Sequence, residues 1–140
     1  MKMEIPSSSR RWVENAKKIT EIVEEEVNIT AQSISVKYYR FLKRGTPVDR
    51  GGDDPGEMKR GWQHQVKRLG KHGRVAELKN DVKYLPYVEY GHRIIVHDKT
   101  VGFVKGRFFV KRARLRTTKT ELPKAYKAME RRIKRRMGFD

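Results

Sequence analysis

The sequence reads as an α+β chain, with a long N-terminal helix packed on a small antiparallel β-sheet, C-terminal helices and a long mobile loop. Three patterns carry that expectation. From Trp12 to Phe41 apolar or small residues recur every third or fourth position, the signature of an amphipathic helix. On either side of Gly70-Lys71-His72-Gly73 the spacing changes to strict alternation, the signature of a half-covered hairpin. Near the end, Leu122, Tyr126, Met129, Ile133 and Met137 form a second helical stripe.

The first helix is expected over about residues 9–43, with Ser7, Ser8 and Ser9 offering N-caps and Trp12, Ala16, Ile19, Val23, Val27, Thr30, Ile34, Tyr38 and Phe41 on its inner face. No glycine or proline interrupts that span. About 30 residues of helix extend roughly 45 Å, longer than a domain of this size is wide. One end must therefore overhang or lie on a neighbouring subunit. Lys43, Arg44 and Gly45 close the helix, with basic residues at its negative pole and glycine as the stop.

Thr46-Pro47-Val48-Asp49 then reads as an extended entry, since proline keeps the residue before it out of the helical region. Gly51, Gly52, Pro55 and Gly56 make the next stretch a loop, with a short helical turn near Gly56 to Arg60. Trp62, His64 and Val66 alternate with polar residues, and after the turn Ala76 and Leu78 fall on one face. This hairpin has one apolar side, and the stripe of the long helix is the natural cover for it.

Val82 to Tyr90 reads as extended or partly helical around Pro86, and Ile94-Ile95-Val96 as a short strand before a turn from Asp98 to Gly102. The stretch from Gly91 to Gly106 is glycine-broken and polar, and Tyr84, Tyr87, Tyr90, Phe103, Phe108 and Phe109 bracket it. Aromatics at both ends of a mobile loop suit a docking surface, because the ends stay put while the loop adapts. They equally suit an ordinary core. A helix from Phe108 to Leu115 breaks at Thr117 and Thr118, and the last helix starts near Thr120.

Size and composition bound the function. A chain of 140 residues makes a single domain, 1–140, with the sheet and loop over about 46–106 and the C-terminal helices over about 107–137. The absence of cysteine excludes disulfides and thiolate chemistry and fits a reducing cytoplasm. No apolar run approaches a membrane span, and the N-terminus has no apolar signal core. The net charge of +17 points to a polyanion or an acidic protein surface. Eight basic residues face six acidic ones in the first 43 positions, whereas fourteen face three from Lys105 to Asp140. Arg131, Arg132, Lys134, Arg135 and Arg136 on the last helix are the candidate polyanion contact.

Catalytic patterns are weak. Glu77 and Lys79 lie two apart on a strand with Asp53 and Asp54 upstream, as in some metal-dependent nucleases. The aspartates sit in a Gly/Pro loop, however, and Glu and Lys on a wet strand face are ordinary cross-strand partners. His92, His97, Asp98 and Glu89 match no metal-ligand spacing. No catalytic residue, metal site or cofactor is expected. A small basic nucleic-acid-binding protein acting through phosphates is the competing reading, although no base-reading motif is present.

Several tracts taken together resemble the tail-component family of long-tailed bacteriophages. They are Thr46-Pro47-Val48-Asp49 with Gly51, Lys59-Arg60-Gly61-Trp62, Tyr84 through Arg93, Gly102-Phe103-Val104 and Gly106-Arg107-Phe108-Phe109, all after the long helix. The resemblance spans about residues 10–115. Gly52 to Gly56 looks like a small insertion, Lys105 stands where proline is common, and the basic last helix lies outside the shared pattern.

The resemblance implies a structural, non-enzymatic virion protein that completes the tail and joins it to the head. It also implies assembly as a ring of identical subunits, commonly about six, made in the host bacterial cytoplasm by a phage or prophage. The implied partners are other copies of the chain, the head connector or stopper, and the tail tube or terminator. DNA enters only as a nonspecific contact, and no membrane is involved. The residues expected at the partner interface are Tyr87, Glu89, Tyr90, Gly91, His92, Arg93, His97, Asp98, Phe103, Arg107 and Phe108.

Overall fold

A computed structural model describes residues 7–138, with side chains from Ser9 onward. Helix α1, Ser7–Gly45, is followed by a short α2, Glu57–Arg60, and a hairpin of β1, Gln63–Leu69, with β2, Gly73–Lys79. Then come α3, Leu85–Tyr90, a second hairpin of β3, Gly91–Val96, with β4, Lys99–Lys105, and the helices α4, Phe109–Arg116, and α5, Leu122–Met137. The fold is α+β, as expected. Its sheet content is two separate antiparallel hairpins. The caps expected of Ser7 and Ser8 fall on side chains outside the described residues.

The stripe of α1 carries the structure. Its 39 residues extend about 58 Å. Ile22, Glu26, Thr30, Ile34, Ser35 and Leu42 are buried along it. The first hairpin lies on this face as its alternation requires. His64 faces α1 and lies tilted against Tyr39, with ring centres 4.7 Å apart, and its Nδ1 lies 3.0 Å from Ser35 Oγ. On the other strand Arg74 donates to Asn28 at 3.2 Å and Leu78 packs on the core. At the hairpin's tip His72 meets Glu24 at 2.5 Å.

Leu42, Met58, Trp62, Phe109 and Ala113 make the central core, near the C-terminal end of α1. Polar links hold the irregular chain around it. Thr46 Oγ1 donates to Leu42 O at 2.6 Å and accepts from Trp62 Nε1 at 2.8 Å. Asn80 Nδ2 donates to Met58 O at 2.7 Å. The Thr46-Pro47-Val48-Asp49 and Gly61-Trp62 tracts are therefore joined through one buried hydroxyl across sixteen positions of sequence.

The C-terminal helices return antiparallel along α1. Glu121 receives Lys37 Nζ at 2.9 Å, Arg132 reaches Glu26 and Thr30, and Arg136 reaches Glu25 and Glu26. The break expected at Thr117 and Thr118 is a single π-helical turn, Thr117–Glu121, that keeps the helix continuous. Both threonine hydroxyls bond back to carbonyls one turn earlier, at 2.9 and 3.0 Å, which satisfies the loosened backbone.

The stretch expected as a mobile loop is the second hairpin. Its turn is His97-Asp98, both with positive φ of 47° and 61°, the conformation that matches strand twist in a two-residue loop. The turn thus comes before, and is tighter than, the Asp98 to Gly102 turn expected from the glycine. Residues Ile94, Ile95 and Val96 pair with Gly102, Thr100 and Lys99 across it, with a bulge between Ile94 and Ile95.

Candidate docking interface

The second hairpin projects from the body, and its root is tightly specified. Gly91 takes φ 86°, and a Cβ there would lie 2.3 Å from Val104 O and 2.7 Å from Gly106 N. Gly106 is buried against Glu89 and Tyr90. Only glycines allow the strands to cross this closely. Glu89, 2% exposed, supports the crossing from below. Its carboxylate accepts from Val110 N and Lys111 N at 2.9 Å each, capping α4, while its backbone oxygen accepts from Phe108 N at 3.0 Å. Phe108 adopts the left-handed region to begin α4. Its ring lies under Lys111 Nζ at 5.9 Å.

Beyond that root the hairpin is exposed on both faces. Ile95 is 59% and Phe103 63% exposed, with Ile94, Val96, Val101 and Val104 also open. An uncovered two-stranded ribbon of this composition is poorly stable by itself and acts as a template for further contact. On α3, Tyr87 and Tyr90 are 59% and 68% exposed, and Tyr87 meets His92 edge-on with ring centres 6.1 Å apart. The bracketing aromatics are therefore mostly surface residues, and Phe109 alone among them is fully buried.

The residues expected at a partner interface separate into two groups. Tyr87, Tyr90, His92, Arg93, His97, Asp98, Phe103 and Arg107 lie exposed on α3, the hairpin and its base, whereas Glu89 and Gly91 build the root and Phe108 is half-buried at the start of α4. Sequence reading missed Ile94 to Val96, Val101 and Val104 as surface. Their β-branched run was the available signal, but the glycines and polar residues around it read as a mobile loop.

A groove of about 730 Å³ opens beside the hairpin root, between the 47–58 connection and α3. Its lining includes the carboxylates of Asp49, Asp53 and Glu57, the side chains of Met58, Tyr84 and Tyr87, and the cations of Lys105 and Arg107. Partial burial and then the Glu57 carboxylate raise the Tyr84 hydroxyl above its ordinary value.

The basic helix is less free than its composition suggests. Arg132 and Arg136 turn toward α1 and pair with Glu25 and Glu26, and Lys134 pairs with Glu130 at 2.7 Å. Arg131 and Arg135 remain exposed without an acidic partner among the described residues. Glu77 is held by Lys67 and Gln65 across its own hairpin, away from Asp53 and Asp54. No group of His, Asp or Glu among the described residues could hold a metal ion. None of the described helices is long and apolar enough to cross a membrane.

No curated protein and no solved structure matches the chain. A family profile described as "Bacteriophage HK97-gp10, putative tail-component" matches residues 11–91, more than half of the chain, from the overhanging end of α1 through α3 to the root of the projecting hairpin. The chain belongs to this HK97-gp10-like family of bacteriophage tail components.

Proposed function

We propose that this tail component is a structural, non-enzymatic virion protein that completes the tail and joins it to the head connector, as a ring of identical subunits. The observation that carries the reading is the projecting hairpin, whose root is rigid and whose apolar faces are uncovered. A rigid root fixes where the hairpin points, and open faces give it something to bury. The surface offered by one hairpin is small, so a single subunit docks weakly and several copies acting together dock firmly. That difference favours joining only after the ring and its partner surface are complete. The partners are further copies of the chain, the head connector or stopper, and the tail tube or terminator, meeting in the host cytoplasm during assembly.

Electron microscopy of lysates from a phage or prophage with an early stop codon in this gene tests the reading. Filled heads and finished tails lying apart are expected. Intact joined particles would remove the assembly role. A second reading, phosphate binding by a small basic protein, is favoured by Arg131 and Arg135, which have no acidic partner among the described residues. In that case the same lysates would show whole particles, and α5 would be the binding surface.

A further inference from the structure

Two features of the molecule are each incomplete. The first is the start of α1. From Ser9 to Glu21 every residue but Ala16 is exposed, because the first hairpin ends against Glu24 and α5 ends against Glu25 and Glu26. Trp12 stands 72% exposed on this overhang, directly after Arg10 and Arg11. A tryptophan left in water forgoes one of the largest burial energies any side chain offers. The second is the groove beside the hairpin root, lined by Tyr84 and Tyr87, by Lys105 and Arg107, and by the carboxylates of Asp49, Asp53 and Glu57, which outnumber those two cations and form no ion pair among the described residues.

These features cannot meet within one molecule. The helix runs about 45 Å between Trp12 and Leu42, and the groove opens past the Leu42 end, where Met58 joins the core. We infer that the overhang of one copy docks in the groove of the next, with Trp12 against Tyr84 and Tyr87 and with Arg10 and Arg11 against Asp49, Asp53 and Glu57. A chain with a net charge of +17 resists packing against itself. An interface between copies is therefore favoured where carboxylates stand without a partner, and a basic segment carrying an aromatic anchor complements the Asp49, Asp53 and Glu57 side of this groove in charge.

The interface is head-to-tail, so repeated addition generates a ring where the rotation closes and an open filament where it does not. The inference rests on the reading that copies of the chain assemble with one another, and it names the surfaces that do so. It leaves the hairpin free to face a different partner.

The absence of cysteine makes the test direct. Ser9→Cys places a thiol one turn from Trp12, and Val48→Cys places one on the groove. The two full-length variants are mixed at high concentration and oxidised. Heterodimer is expected to form at least about tenfold faster than from Ser9→Cys mixed with Val75→Cys, an exposed position outside the groove. Trp12→Ala in the first partner, or Asp53→Lys in the second, should remove that advantage. A mixed pair no faster than the control overturns the inferred docking, as does disulfide formation by Ser9→Cys alone at the faster rate, which would mean that overhangs pair with each other. Neither result bears on head–tail joining, which the particle images read separately.

Discussion

Arg132 Nε donates to Glu26 Oε2 at 2.5 Å across 106 positions of sequence, and the same guanidinium reaches Thr30 Oγ1 at 3.0 Å. This pair, with Arg136, fastens the end of α5 to the middle of α1. Part of the most basic stretch of the chain is thus neutralised internally.

Glu26→Gln should lower stability by about 2 kcal/mol at pH 7, since it leaves two guanidinium groups facing a neutral amide at a buried site. Burial raises the pKa of this carboxyl, but the hydrogen bonds and charges of Arg132 and Arg136 outweigh it, and the net direction is below the ordinary 4.5. A group whose folded pKa is lowered stabilises fully above its unfolded value and loses that effect as pH falls through the folded one. Urea unfolding at pH 7 and at successively lower pH should show the full wild-type advantage at the first and a shrinking one as pH falls below the ordinary carboxylate range.

Gly91→Ala should disrupt the hairpin root, because φ there is 86° and the new methyl would meet Val104 O and Gly106 N, both backbone atoms. A loss of about 3 kcal/mol is expected, with accelerated amide exchange across 91–105. Asp98→Gly provides the contrast. It relieves a left-handed aspartate in the turn and should slow exchange in the same strands.

Replacing Ile95 and Phe103 together by Asp should change subunit stability by no more than about 0.5 kcal/mol, as both side chains are exposed. Joined particles should disappear in a complementation assay. Wild-type particle yield from the double variant would count decisively against the hairpin as the docking element. Tyr87→Ala is expected to be comparably mild for stability, since its ring is mostly in water.

Neutralising Arg131 and Arg135 to Gln should reduce the salt dependence of any DNA binding by about 1.8 in log–log slope, near 0.9 for each phosphate no longer neutralised. The pair Arg132→Gln and Arg136→Gln should instead act first on stability, through Glu25 and Glu26. Equal weakening of DNA affinity by both pairs, with full stability kept in the second, would show that α5 is not fastened as described.

Local elements follow from residue order. Spacing of three and four residues makes α1 a helix with one inner face, alternation around Gly70 makes the first hairpin and turns one side toward α1, and the apolar stripe makes α5, because each pattern states which positions must leave water. The tracts around Thr46 and Trp62 are legible separately, as an extended entry and as part of a strand alternation, but the hydroxyl that joins them appears only in the fold. Which apolar residues stay uncovered is a property of the assembled fold. Trp12 falls on the inner stripe of α1 in sequence and Ile94 to Val96 read as a short strand in a loop, yet all four stand exposed, since burial depends on what arrives from elsewhere in the chain. The same holds for charge. Arg132 and Arg135 lie on the same helix, but only the return of α5 along α1 brings one to Glu26 and leaves the other facing solvent.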